Sequence, residues 1–483
     1  MIALDRASQK ALHTQIYEGY RVAIITGRLR CGQRVPSTRV LASELGVSRF
    51  PVLTAYSQLL AEGYFESQVG SGTVISNSLP ERFMQSNAGD LHMTPGQPRP
   101  GFLARRASPL FSPLRPALVR GYGAFNVGEV AFDQFPIQIW SDLISRHCRN
   151  MQAQFLHYGD SMGLLVLREA VADYLRTARS VRCEADQVMI VSGSQQALDI
   201  SARVLVDPAS AVWVEEPGYG PARDIFTRAG CRLIPVPVDN EGLDVRAGTR
   251  RCRKARVAFV TPSHQFPLGV TMSAKRRFEL LEWAQNTGAW IIEDDYDSEY
   301  RYDSPPIASL QGMDANARVI YIGTFSKVLF ASLRLGYIVI PRNLVAHFSA
   351  ARRFMDYGPS PFFQAVIADF IHDGHFARHL RRMRTLYHKR RATLTESIDR
   401  ELGSMVEVLG SKAGLHLTVA LRNNISDMEI SRRAASDDLW IWPLTASYLD
   451  RATANGFILG FANTAEAEIP RAVQTLRKLL TSA

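Results

Sequence analysis

In the first 77 residues the apolar positions return every three or four places, whereas beyond residue 126 they gather into short unbroken runs. Leu12, Ile16, Tyr20, Ala23 and Ile24 share one helical face and predict a first helix that stops at Thr26-Gly27. A second helix is expected after Pro36, with Ser37 or Thr38 placed to cap its free N–H groups and Leu41 and Leu45 on its inner side. Gly46 can take the left-handed conformation that closes a helix. Ser48 would then cap a third helix, whose Val52, Ala55, Tyr56 and Leu59 repeat at i, i+3, i+4 and i+7. Helix, glycine turn and helix at this spacing have helix-turn-helix geometry. Residues 65–75, with Gly70-Ser71-Gly72 in the middle, read as a two-stranded wing. Taken alone, the same pattern would suit a plain small helical domain.

Residues 78–125 lack periodicity and hold seven prolines (Pro80, Pro95, Pro98, Pro100, Pro109, Pro113 and Pro116), which reads as a linker between a 1–77 domain and a 126–483 domain. In the large domain, apolar runs alternate with helical patterns, as in an α/β layer with a parallel sheet. Five runs end in polar clusters. Residues 188–191 lead to Ser192-Gly193-Ser194-Gln195, 212–214 to Glu215-Glu216-Pro217-Gly218-Tyr219, and 257–260 to Thr261-Pro262-Ser263-His264-Gln265. Residues 290–292 lead to Glu293-Asp294-Asp295-Tyr296-Asp297, and 319–322 to Gly323-Thr324-Phe325-Ser326-Lys327. Ligands of open α/β sheets sit beyond the C-terminal ends of the strands, so these five clusters are expected to converge.

Composition narrows the class. The 483 residues are 46% hydrophobic and 21% charged, enough to bury a large core, and no apolar run approaches the ~18 residues of a membrane span. Five scattered cysteines form no C-x-x-C pair, so no disulfide framework and no metal site is expected. The opening Met1 to Arg6 lacks the layout of a signal peptide, which makes a cytoplasmic, reduced setting the expectation. Of the formal net charge of +10, +7 lies in the first 125 residues. A basic end points to a polyanionic partner, although such charge is also commonly just solvated surface.

The polar clusters suggest a chemistry. Gly193-Ser194-Gln195 opens a helical pattern and suits a phosphate held by backbone N–H groups. Lys327 is one of only seven lysines and stands among hydroxyls and apolar residues, where a poorly hydrated amine sheds its proton more easily. Asp294, directly after a buried run, can pair with a pyridinium nitrogen, Tyr219 offers a ring to stack on, and Tyr296 a phenol. Singly, each has a plainer reading: a surface lysine, a solvated or metal-binding Asp pair, a turn-packing tyrosine, a loop or core histidine at 264. Jointly they are what pyridoxal phosphate requires.

Two resemblances sharpen this. The stretch "STRVLASELGVSRF" (37–50) and its surroundings closely resemble the winged helix-turn-helix of GntR-type bacterial regulators. The resemblance implies that Ser37, Thr38 and Arg39 meet DNA phosphates, that Ser48, Arg49 and Thr54 lie on the recognition helix, and that Gly72 at the wing tip enters the minor groove. Phe50-Pro51 departs from the family pattern. "SGSQQALD", "EEPGYGPAR", "TPSHQFPLG", "EDDYDSEYRY" and "GTFSKVL" look like a fold-type I aminotransferase, and the whole chain resembles the MocR subfamily of GntR regulators.

That likeness implies a mostly parallel sheet with a smaller C-terminal subdomain, pyridoxal 5'-phosphate as cofactor and Lys327 as the Schiff-base lysine. It implies Asp294, rather than Asp295, at the pyridine nitrogen, with Tyr219 stacked on the ring, Tyr296 at the phenolic oxygen and His264 also touching the ring. Ser194, Gln195, Thr324 and Arg334 would hold the phosphate, with Tyr158 reaching over from a second subunit of a head-to-tail homodimer. The expected partners are promoter DNA, a small amine or pyridoxal phosphate as effector, and RNA polymerase, with no membrane. Aminotransferases usually carry an arginine for a substrate carboxylate near residues 456–462, where this chain has none, and relatives that sense γ-aminobutyrate carry one where Pro221 stands; Arg223 is nearby. A sensor is therefore the leading expectation, ahead of a large domain that only dimerises and a working aminotransferase with an attached DNA-binding head.

Overall fold

The computed structural model describes residues 4–6, 8, 10–68, 72–77, 123–151, 153–302, 307–410 and 413–482. They fall into two compact units. Of the linker expected over 78–125, the part 78–122 lies outside the described residues. Its last residues belong to the large unit: Ala124 bridges to Leu439, and Phe125 is fully buried with φ 63°.

In the small unit α1 (Leu12–Ile25) buries Ile16, Tyr20 and Ile24. The predicted stripe of α3 (Arg49–Ala61), namely Val52, Ala55, Tyr56 and Leu59, is buried against it. Tyr20, Tyr56 and Phe65 meet edge to face at 5.1–5.7 Å, and the Tyr20 and Tyr56 hydroxyls lie 3.1 Å apart. α2 (Thr38–Leu45) is capped by Ser37, whose hydroxyl accepts from the Val40 N–H, and ends at Gly46 with φ 62°. Ser48 stands at the N-cap of α3, but its side chain makes no capping bond; the expectation that it caps the helix is corrected. Strands β1 (Phe65–Gln68) and β2 (Gly72–Ile75) pair antiparallel, so Gly72 is the first residue of the second strand, facing Gln68.

The large unit is built on an eight-stranded sheet. Its strands are β3 (Val188–Val191), β4 (Ala211–Glu216), β5 (Arg232–Asp239), β6 (Gly242–Leu243), β7 (Val257–Val260), β8 (Trp290–Asp295), β9 (Val319–Thr324) and β10 (Gly336–Val339). They are ordered β3-β10-β9-β8-β7-β4-β5-β6. Strands β9, β8, β7, β4 and β5 run parallel, and β10 is antiparallel to both β9 and β3. The five strands with polar tails consequently all point the same way. Both faces are covered: Val212, Val214, Phe259, Ile292 and Ile322 belong to one core, and Trp213, Ala258, Val260 and Ile291 to the other. Period-2 alternation in strands buried on both sides is what gives unbroken apolar runs.

A four-stranded antiparallel sheet forms the smaller subdomain, in the order β11 (Val406–Leu409), β12 (His416–Leu421), β14 (Gly456–Gly460) and β13 (Trp442–Pro443). Helices His375–Leu402 and Ile469–Thr481 contribute to the same core. Among the described residues no helix is long and apolar enough to cross a membrane.

The β9–β10 register tests the packing. Gly323 faces Tyr337, and a Cβ at Gly323 would lie 2.3 Å from the buried Tyr337 ring. Gly323→Ala should destabilise the large unit by roughly 1–3 kcal/mol. Chemical denaturation followed by tryptophan fluorescence checks this, and an unchanged midpoint would refute the packing described.

Candidate functional site

The five polar tails do meet, and the run Glu293-Asp294-Asp295 shows how. All three acids lie within β8 itself, not after it, and all three are buried. Successive strand residues face opposite sides of a sheet, so Glu293 and Asp295 share one face and Asp294 takes the other. Glu293 accepts the N–H groups of Leu310 and Gln311, both at 2.8 Å. Asp295 Oδ2 accepts from Arg179 Nε at 2.8 Å and from the Tyr321 hydroxyl at 2.5 Å. Arg179 also reaches Ser263 and the Ile307 carbonyl. These two acids are structural.

Asp294 differs. It is 4% exposed and its Oδ1 has no hydrogen-bond partner, which is true of Asp295 Oδ1 as well, but unlike Asp295 it is reached by no ion pair among the described residues. Burial pushes its carboxyl up to about 7; the charges of Asp295, Asp297 and Glu215 push the same way and Lys327 opposes them. A buried carboxylate without a partner is costly, so the face it occupies is suited to a cationic donor.

Lys327 follows β9, and its Nζ donates to the Gly128 carbonyl at 2.6 Å. Gly128 has φ +86°, and a Cβ there would fall 2.4 Å from Nζ, so the amine can sit where it does only because that residue is glycine. The sequence offers no sign of this partner, 199 residues away.

Beside them is a wall of rings. Tyr219, the N-cap of the helix Gly220–Arg228, meets Phe266 edge to face at 5.6 Å, and Phe266 stands 6.5 Å from Tyr296 and 5.4 Å from His416. His264 is buried. Its Nδ1 faces both the Tyr296 hydroxyl at 3.1 Å and the Asp297 carboxylate at 3.1 and 3.2 Å, while its Nε2 is buried without a partner. Asp297 also accepts the Leu415 N–H, and His416 lies against the Pro267 carbonyl. Burial, then the nearby His264, hold His416 well below the usual histidine range. Phe266, Asp297 and His416 were not singled out in the sequence. Asp297 stood in a cluster already named, but His416 comes from the smaller subdomain and left no local signal.

A third corner surrounds the helix Ser194–Leu205. Gly193, its N-cap, has φ 87°; Ser194 and Gln195 form its first turn, with no side-chain cap on their N–H groups. The Arg334 guanidinium lies 3.6–3.7 Å from where a Gly193 Cβ would stand, and donates to the Ser192 carbonyl at 3.2 Å. Gly336 pairs with both Val191 and Thr324, and a Cβ on it would lie 3.4 Å from the Gly193 Cα and 3.5 Å from the Thr324 Cα. Ser194, Thr324 and Arg334 are thereby drawn to one place. N–H groups, a hydroxyl and a guanidinium together suit a phosphate.

Two further residues stand apart from these three corners within the chain. Tyr158 is 88% exposed and touches only Tyr357 among the ring contacts, on the surface of the large unit. Arg223 is buried with Glu216 at 3.7 Å and donates to the Ala446 carbonyl, which ties it to the smaller subdomain and leaves it poorly placed to substitute for an effector-binding arginine.

On the small unit, Arg39 and Arg49 are exposed. Arg49 Nε donates to Thr38 Oγ1 at 3.1 Å, and Thr54 Oγ1 donates to the Phe50 carbonyl at 3.1 Å. Gly72 has φ +85°, and the Arg34 guanidinium lies 3.2 Å from where its Cβ would be, so Arg34 also belongs to this surface.

Comparison with known proteins gives the two units separate kin. Residues 12–75 match the model "Bacterial regulatory proteins, gntR family", and residues 124–476 match "Aminotransferase class I and II". The chain is 38% identical to the probable rhizopine catabolism regulatory protein MocR of Rhizobium meliloti, over 99% of this chain and 95% of that one. It is 30% identical to the pyridoxine biosynthesis transcriptional regulator PdxR of Corynebacterium glutamicum, over 96% and 94%. Among solved structures it is similar to the kynurenine aminotransferase of Pyrococcus horikoshii, with 27% identity, a TM-score of 0.71 and coverage of 82% of this chain and 98% of that one. It is likewise similar to the α-aminoadipate aminotransferase LysN of Thermus thermophilus, solved with N-(5'-phosphopyridoxyl)-L-leucine, at 26% identity, a TM-score of 0.72 and coverage of 79% and 97%.

The buried acids make stability depend on pH. Glu215, Glu293, Asp294 and Glu299 are each pushed up to about 7, mainly by burial. A carboxyl whose folded value exceeds its unfolded one keeps its proton longer when folded, so the folded state binds more protons between about pH 5 and 7.5 and stability falls as pH rises through that window. The depressed His379 and His416 act oppositely below 6.5. The cofactor-free protein should melt at a higher temperature at pH 6.5 than at pH 8, and Asp294→Asn should flatten that slope. A melting temperature that rises with pH across this interval would contradict the burial described.

Proposed function

This chain belongs to the GntR-type bacterial regulators that carry a class I and II aminotransferase domain, and from that premise we propose that its large unit holds pyridoxal 5'-phosphate and uses it to sense a small amine, or senses the cofactor itself, so altering the grip of the head on promoter DNA. The observation that carries the reading is Asp294, a buried carboxyl with an unpartnered oxygen that feels the charge of Lys327. A protonated pyridine nitrogen is the donor this oxygen lacks. The phosphate would rest on the first turn of the helix Ser194–Leu205 with Thr324 and Arg334, the ring against Tyr219, and its phenolic oxygen near Tyr296 and His264.

Pyridoxal phosphate supplies an aldehyde that condenses with primary amines and a ring that withdraws electrons from them. The protein's own share is positional. Gly128 accepts from the Lys327 amine and aims it. Asp294 would hold positive charge on the ring nitrogen of a bound cofactor. Asp297 orients His264, which in turn faces the Tyr296 hydroxyl, so this chain of three would set the proton positions beside a bound ring. Tyr158, exposed and in ring contact with Tyr357, would be offered to a second copy's site in a homodimer. In the bacterial cytoplasm such a dimer would meet DNA as paired half-sites.

Sustained transamination is the second reading, favoured by the likeness to kynurenine and α-aminoadipate aminotransferases. Against it, β14 is wholly buried and apolar at its centre, with Ile458 paired to Thr418 and Trp442 and no arginine on the strand.

The visible spectrum of the purified full-length protein tests the proposal. With pyridoxal phosphate added, a yellow band should appear that Lys327→Ala abolishes. Asp294→Asn should weaken cofactor retention roughly tenfold or more, the scale of a lost charged hydrogen bond. An effector amine should shift the band and change operator affinity together. A protein that stays colourless, or whose DNA binding ignores both cofactor and a broad amine panel, would overturn the sensor reading; steady turnover of amino donors and keto acids would favour the enzyme.

A further inference from the structure

The outward side of α3 is unusual for a helix that approaches DNA. Its inner residues Val52, Ala55, Tyr56 and Leu59 are buried in the head's own core. On the outer side Phe50 is 76% exposed and Leu53, one turn on, is 40% exposed. Single exposed apolar residues are ordinary on a protein surface, so exposure alone decides nothing. The surroundings do. The two side chains form an apolar strip in the first turns of the helix, beside Arg49, whose guanidinium is already held by Thr38, and with Arg39 exposed on α2. The head carries a basic excess, so the face complements a polyanion.

The strip has few donors to offer. Pro51 has no N–H, and the Thr54 hydroxyl is turned back to donate to the Phe50 carbonyl. Its own contact with a base edge must therefore be apolar. In the major groove the base edges present acceptors, donors and one apolar group, the 5-methyl of thymine. Resting on the reading of this unit as a DNA-binding head, we infer that Phe50, flanked by Leu53, packs on a thymine methyl in the operator and is a specificity-determining residue, with Arg49 fixing the helix beside it.

The test removes only the methyl group. The full-length protein, loaded with pyridoxal phosphate, selects duplexes from a random library, and each thymine of the selected site is then replaced in turn by deoxyuridine. At one or more positions the replacement should weaken binding about fourfold, the worth of one buried methyl group. Phe50→Ala should weaken binding to the thymine duplex by a similar factor and be indifferent to the replacement, because the two changes remove the same contact. Phe50 is exposed, so the variant should fold, and the duplex series on the wild-type protein needs no variant. Binding that is equal for thymine and deoxyuridine at every position would overturn the inference alone, as would an undiminished deoxyuridine penalty in Phe50→Ala. Failure of the protein to retain any duplex at low salt would overturn the DNA-binding reading and this inference together.

Discussion

Burying three consecutive carboxyls at the end of one strand is the constraint around which the large unit is arranged. Glu293, Asp294 and Asp295 sit in the middle of an eight-stranded sheet, where an unpaired charge costs several kcal/mol (roughly). Strand geometry sends the outer two to one side, and there the chain provides for them: backbone N–H groups for Glu293, Arg179 and Tyr321 for Asp295. It provides nothing of the kind for Asp294 among the described residues. The asymmetry separates scaffold from site within three adjacent residues.

Other features follow from keeping that face open. Gly128 and Gly336 lack side chains where a Cβ would strike the Lys327 amine or press upon the Gly193 and Thr324 backbones. The segment 261–272 is held from both sides. Glu215 grips Thr261 and Gln265, while His416 lies against the Pro267 carbonyl and Asp297 takes the Leu415 N–H. The wall of rings is thus shared between the main sheet and the smaller subdomain, and a movement of β12 would be felt at His264.

Much of this was legible in the chain, because local periodicity reports local geometry. The inner faces of α1 and α3 follow directly from repeats at three and four residues, and β3 and β7 coincide with their apolar runs. The reading faltered where polar residues remain inside a strand. Runs ending at 292 and 322 concealed that β8 and β9 continue to Asp295 and Thr324, and with them the alternation that distinguishes Asp294 from Asp295 without appeal to any relative. Ser48 has the residue type of a cap but not the bond, since position in sequence does not orient a hydroxyl. Gly128, Asp297 and His416 matter through partners tens to hundreds of residues distant, and no periodicity encodes such distances.

The hydrogen bond from Arg49 to Thr38 ties the first turn of α3 to the first turn of α2 across the glycine corner. A long arginine side chain ordinarily surrenders much of its rotational freedom when it docks. Here the planar guanidinium is oriented in advance, so less of that freedom would be left to lose if the side chain docked on a ligand. The corner between the two helices is thus braced by a side chain as well as by the turn, and its geometry belongs to the free protein.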